Sequence, residues 1–203
     1  MIEASDPATV PAARARVGAL APLTVPTFRA LWIAALISNI GSWMQTVGAQ
    51  WFLVEQHGSP LLIALVQTAS AAPVLLLGIP AGVIGELLNR RTLLIWVQAT
   101  QVVIGGVLVV LTMTGEMSPY LLLALTLLLG AASAVQLPAY GAISAEIVPT
   151  PFIPNAASLS SISVNVARAI GPAIAGALVS LLGVAFVFAL NAASFAVFLV
   201  VLL

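Results

Sequence analysis

The chain has 203 residues, 62% of them hydrophobic and 6% charged, and a formal net charge of zero. A soluble domain carries about 25% charged residues, so this chain has too little polar surface to be wetted as a globule and must meet lipid instead. The neutral balance gives no footing for nucleic acid, and the absence of cysteine removes disulfides, thiolate metal sites and Cys nucleophiles.

Residues 1–26 are rich in Ala and Pro and carry Glu3, Asp6, Arg14 and Arg16. The acids precede the arginines and no clean apolar core follows before Arg29, so this stretch is not a secretory signal and reads as a flexible cytoplasmic tail. A bilayer-spanning helix needs about 20 apolar residues. Six segments meet that length, at 31–54, 61–85, 92–114, 119–144, 157–182 and 184–203. The fold class expected is an all-α integral membrane bundle occupying 27–203. The breaks between spans carry turn chemistry: "EQHGSP", "ELLNRR", "GEMSP", "EIVPTPFIPN" and, between the last two spans, the single Gly183.

Every basic residue is Arg. Arg14, Arg16, Arg29, Arg90 and Arg91 fall before the first span or between the second and third, while the opposite loops hold only Glu55, His57 and Glu116. The excess of positive charge on one side places the N-terminus in the cytoplasm of a bacterial-type plasma membrane. The loop 146–155 belongs to that side too, yet it has no basic residue. The last span runs to Leu203 with no polar flank, which leads us to expect a further part of the protein beyond it.

Several spans carry polar side chains. Asn39, Trp43, Thr46 and Gln50 lie within about 60° of one another on the helical wheel. Such a stripe faces a cavity or a partner helix rather than lipid. Gln45 points away from it and reads as structural or interfacial. Gln98, Gln101 and Gly105 share a face of the third span, Gln136 and Tyr140 share one of the fourth, and Gln67 and Ser70 mark the second. Pro73, Pro80, Pro138 and Pro172 are expected to interrupt or bend their helices. His57 is the single histidine, no His/Asp/Glu grouping has metal-ligand spacing, and no nucleophile elbow, phosphate loop or dinucleotide-binding glycine motif occurs. No metal, cofactor or enzymatic activity is therefore expected.

"GVIGELLNRR" (82–91) is the most informative loop. Glycines at 82 and 85 permit close backbone approach, Glu86 stands at the membrane edge, and Arg90 follows four residues on. The loop resembles the signature between the second and third spans of the major facilitator superfamily, with Gly82, Gly85, Glu86, Arg90 and Arg91 in its glycine, small, acidic and basic places. It departs at Glu86 for the usual Asp, Leu87 for a frequent Arg and Asn89 for Gly. "FRALWIAALISNIGSWMQTVGAQWFLVEQHGSP", "PAYGAISAEIVP" and "LNAASF" are similar to segments of that superfamily's enterobactin-exporter and macrolide-efflux branch. The likeness covers about 28–203 and implies the N-terminal six-helix half of a twelve-helix transporter, with the 82–91 loop as a conformational gate.

Arg168 is the one charge deep inside a span, where a buried Arg costs about 2.5–3.5 kcal/mol on insertion scales. It shares a face with Ser161, Asn165 and Pro172 and is expected to point into the bundle. There its partner is a carbonyl, a cavity water, an acid elsewhere, or an acidic group on the cargo. The neighbouring "ARAIGPAIAG" resembles the exporters' fifth-span glycine-proline motif, with Gly171, Pro172 and Gly176 matching and Ala167 and Ala175 in place of Gly. That resemblance implies export by antiport. The function expected is proton-coupled efflux of a small drug- or siderophore-like molecule, with Arg168, Asn165, Asn39, Trp43, Thr46, Gln50, Gln136 and Tyr140 as cavity candidates. Its partners are the lipid bilayer, protons and the other six-helix half. The alternatives are a half-size homodimer and a non-transporting scaffold.

Overall fold

The computed structural model describes residues 18–203, with side chains described everywhere except at 83–87. Six α-helices follow a short 3-10 turn: α1 (Pro26–Glu55), α2 (Pro60–Leu87), α3 (Arg90–Thr114), α4 (Pro119–Glu146), α5 (Ile153–Leu182) and α6 (Val184–Leu202). Five of them, α2 to α6, are long and apolar enough to cross a membrane. The 30-residue α1 is long enough but less apolar, because serines, amides and Thr46 occupy its middle. The sequence expectation of six spans is met in helix number and, on apolarity alone, in five of the six.

Local chemistry sets the helix ends. Pro stands in the first turn of α1 and α4, where its missing N–H costs nothing. Asn89 caps α3, its Oδ1 accepting from the Thr92 N–H at 3.1 Å, so the residue that replaces glycine in the 82–91 loop is an N-cap. Ser118 caps α4 in the same way. Gly115 closes α3 at φ 75°, and Gly183 turns the chain from α5 into α6 at φ 81°, a region open to glycine at no steric cost. The α5–α6 connection is thus as short as the sequence indicates.

Two expectations are corrected. Pro73, Pro80, Pro138 and Pro172 do not break their helices, since α2, α4 and α5 run through them. The stretch from Gly18 to Val25 is not a loose tail. Its 3-10 turn buries Pro22, Leu23 and Val25 pack against Phe28, Val148 and Leu159, and the Gly18 carbonyl accepts from Asn155 Nδ2 at 3.0 Å. The remainder of the expected tail lies outside the described residues.

In the bundle α1 packs on α5 and α6, α3 on α6 and α4, and α4 on α2. Phe52, Leu53, Leu108, Phe188 and Phe195 form the main core, and Leu31, Leu94 and Phe198 a second cluster. Four interfaces each contain one glycine at van der Waals limit. A Cβ on Gly41 would lie 2.6 Å from Asn191 Oδ1, on Gly105 2.9 Å from Ala192 Cβ, on Gly171 2.6 Å from Trp43 Cβ, and on Gly130 2.8 Å from the Ala69 and Ser70 carbonyl oxygens.

The contact at Gly130 has backbone on its far side and cannot yield by a rotamer change. Gly130→Val is therefore expected to destabilise the protein by about 1–3 kcal/mol, read as a lower melting temperature in detergent. Gly106→Ala, whose Cβ meets nothing within 4 Å, is the control that should melt no lower than the parent. Equal melting of the two variants would contradict the packing.

Candidate functional site

A cleft of about 290 Å³ opens between α1, α4 and α5. Asn39, Ser42, Ser133, Gln136, Tyr140 and Ser161 supply most of its polar lining, and Ala35, Leu137 and Val164 its apolar part. Among the described residues no charged side chain lines it. Asn39 is fixed by donating from Nδ2 to Ser163 Oγ at 3.1 Å. The Tyr140 ring meets Phe198 edge-on, with centroids 6.1 Å apart.

Four of the cleft's serines share one habit. Ser42, Ser133, Ser160 and Ser161 each donate their hydroxyl proton to the carbonyl four residues back on their own helix. A hydroxyl has one proton and two lone pairs, so what these residues turn toward the cleft is acceptor capacity.

A second, smaller chamber of about 70 Å³ adjoins the cleft, sharing Ser42 and Ser133 with it. Gln45, Thr46, Ser70, Thr126 and Asn191 complete its polar lining, and its volume is that of about two water molecules. The Thr126 hydroxyl is buried there with no protein partner among the described residues. Asn191 Nδ2 donates to Gln45 Oε1 across the α1–α6 interface, both residues buried. Gln101 reaches this region by donating to Ser133 Oγ at 3.3 Å.

The cavity candidates read from sequence are therefore divided. Asn39, Gln136 and Tyr140 line the cleft, while Thr46 turns into the inner chamber and donates to the Ser42 carbonyl. Gln50 is half-buried and lines neither space. Asn165 is exposed and donates back to the Ser161 carbonyl at 2.9 Å. Arg168, expected to point into the bundle, lies exposed on the open side of α5 with its guanidinium carbon 5.3 Å from the Trp43 ring centroid. Ser38, Ser42, Ser133 and Ser160 were missed. On α1 the signal lay in the sequence, since Ser38, Ser42 and Gln45 extend the polar arc beyond the stripe from Asn39 to Gln50.

At the α2–α3 turn, Arg90 forms an ion pair with Glu146 at the end of α4. Arg91 donates to the Leu202 carbonyl at 2.7 Å and the Leu203 carbonyl at 2.5 Å. Gly85 and Glu86 fall within 83–87, where side chains are not described, and a Cβ on Gly82 would meet nothing within 4 Å. Of the fifth-span motif, Gly171 makes the close approach to Trp43, while the Gly176 position opens on empty space and Pro172 stays within the helix.

A bundle of long apolar helices around a hydrogen-bonding cleft is an architecture found among membrane transporters. Residues 17–203 match the family described as transmembrane secretion effector, and the chain belongs to that family of the major facilitator superfamily. It is similar to the staphyloferrin A transporter of Staphylococcus aureus (strain NCTC 8325 / PS 47), 28% identical over 142 residues, covering 70% of this chain and 36% of that protein. It is also similar to the uncharacterized MFS-type transporter YfiS of Bacillus subtilis (strain 168), 29% identical over 160 residues, covering 78% and 37% respectively. The chain thus spans a little over a third of the length of the curated relatives it matches.

The Gln45–Asn191 bond has a measurable consequence. Gln45→Leu alone strands the Asn191 amide in the core and is expected to cost about 1–2 kcal/mol. The double variant Gln45→Leu/Asn191→Leu should recover most of that loss in a double-mutant cycle of melting free energies. Strict additivity would mean the two amides are not coupled.

Proposed function

We propose that the chain is the N-terminal six-helix half of a secondary active exporter that moves a small, drug- or siderophore-like organic molecule by alternating access. α1 completes the count of spans, its polar arc tolerated because it faces the bundle interior rather than lipid. The N-terminus lies in the cytoplasm of a plasma membrane, as the arginine distribution indicates. The single observation that carries the reading is the neutral cleft between α1, α4 and α5, with Arg168 and Trp43 beside it. Family membership supports transport, and the named activity of the staphyloferrin A transporter supports a siderophore-like cargo. The length of the relatives leaves room for a second six-helix half.

Protons are the proposed coupling ion. Glu55 and Glu146 close α1 and α4, and Glu116 stands between α3 and α4. The group that carries the proton therefore belongs to the helix ends or to the other half. Inverted vesicles holding the full-length protein are expected to accumulate a fluorescent compound when their lumen is acidified, and to lose it on adding a protonophore. Failure to accumulate any of a panel of such compounds would end the transport reading. Arg168→Ala should abolish accumulation with the protein still inserted, and unchanged accumulation would remove Arg168 from the site.

Arg90 and Glu146 are proposed as a gate at the α2–α3 turn, their ion pair holding one conformation. The pair is partly exposed, with side chains 35% and 53% accessible, so its rupture should cost no more than about 1 kcal/mol of stability. Arg90→Glu is expected to slow transport at least several-fold with little change in melting, and adding Glu146→Arg should restore much of the rate. A swap that restores nothing would show that the pair itself is not the gate.

A further inference from the structure

We propose that Arg168 is the anion-reading end of the substrate site, and that the cargo is a carboxylate or similar oxyanion whose body carries hydroxyl or amide N–H groups. The proposal rests on the transport reading above and names the substrate class of the same site.

Arg168 stands midway along the 30-residue α5, at a depth where a free charge is costly. Among the described residues it makes no ion pair or hydrogen bond. Its aromatic neighbour is Trp43, whose ring centroid lies 5.3 Å from the guanidinium carbon. The described acids are engaged or remote: Glu146 pairs with Arg90, Glu55 accepts from Trp51 Nε1 at 2.9 Å, and Glu116 stands between helices.

A guanidinium whose carbon is 5.3 Å from an indole centroid is drawn to it by cation–π attraction, and its edge of N–H donors makes no hydrogen bond among the described residues. That edge matches the two oxygens of a carboxylate. The attraction also restrains the side chain before any ligand arrives. Trp43 is itself held by the close approach of Gly171, one turn from Arg168 on α5. Less rotamer freedom is then lost on binding.

The cleft lies next to this edge. Asn39 and Val164 line it, and Trp43 and Arg168 are each four residues further along α1 and α5, a rise of about 6 Å. Four of the cleft's serine hydroxyls, those of Ser42, Ser133, Ser160 and Ser161, have spent their protons on their own helices and present lone pairs. Donor groups on a cargo therefore find acceptors in the cleft beside the Gln136 and Tyr140 side chains, and an acceptor-only group fits Arg168. The two ends ask for opposite chemistry, and a hydroxylated or amide-bearing carboxylate supplies both.

Matched probes separate the two demands: gluconate has both features, sorbitol has hydroxyls without charge, and hexanoate has charge without hydroxyls. Binding to the full-length protein in nanodiscs is read as a saturable rise in melting temperature. Gluconate is expected to bind at least about tenfold more tightly than either partial probe. Arg168→Gln should reduce gluconate to the level of sorbitol, and Arg168→Lys should retain part of the difference. Should Arg168→Gln fail to fold, Trp43→Leu gives the same test, because loss of the indole should weaken gluconate and leave sorbitol unchanged.

Absence of gluconate binding, equal affinity for gluconate and sorbitol, or undiminished gluconate affinity in the variants overturns the proposal. Export of a neutral dye by wild-type vesicles would then still stand. If the transport reading itself were wrong, that export would be missing whatever residue occupies position 168.

Discussion

Helices surrounded by lipid gain little by hiding apolar side chains from one another, because the hydrocarbon outside is as apolar as the core. What holds such a bundle is contact distance. Four interfaces here each have a glycine in close approach, at Gly41, Gly105, Gly130 and Gly171, where an added Cβ would fall between 2.6 and 2.9 Å from the facing helix. Each fixes which faces meet. The position of the cleft follows, since α5 lies where Gly171 meets Trp43, and Trp43 is one turn from Asn39 on the cleft wall.

Polar groups are tolerated inside this frame by local satisfaction. Ser42, Ser133, Ser160 and Ser161 return their protons to their own helices, and Gln45 pairs with Asn191 and Gln101 with Ser133 across interfaces, while Gln98 and Ser144 keep buried polar atoms with no protein partner among the described residues. Such wiring needs no charge. It leaves a hydrogen-bonding cleft that costs far less in hydrocarbon than one built from carboxylates and lysines. The described charges stand at helix ends or loops, with Arg168 the exception.

Length, apolarity and turn residues made the six helices readable in advance, because each is a local property of about 20 residues. The helix caps at Asn89 and Ser118 are local too, and Asn89 is a cap where the superfamily pattern offers only a departure from glycine. Side-chain pairing was less legible. Arg90 meets Glu146 at the end of α4, a partner that no local spacing indicates and that only the packing of the bundle brings near. The stripe from Asn39 to Gln50 was correctly read as polar but drawn too narrow. Once α5 and α6 take opposite sides of α1, Gln45 and Thr46 belong to the inner chamber and Trp43 to α5.

The two kinds of contact differ in how they fail. A glycine against backbone, as at Gly130 on the Ala69 and Ser70 carbonyls, cannot slide without a steric clash, so α2 and α4 move together or not at all. The Arg90–Glu146 pair is half in solvent and worth at most about 1 kcal/mol, so thermal motion or a change of neighbour can open it. Rigid contacts run through the interior and breakable ones sit at the α2–α3 turn. A body built this way is stiff through its interior and yields first at its rim, which is what the proposed alternating access would draw on.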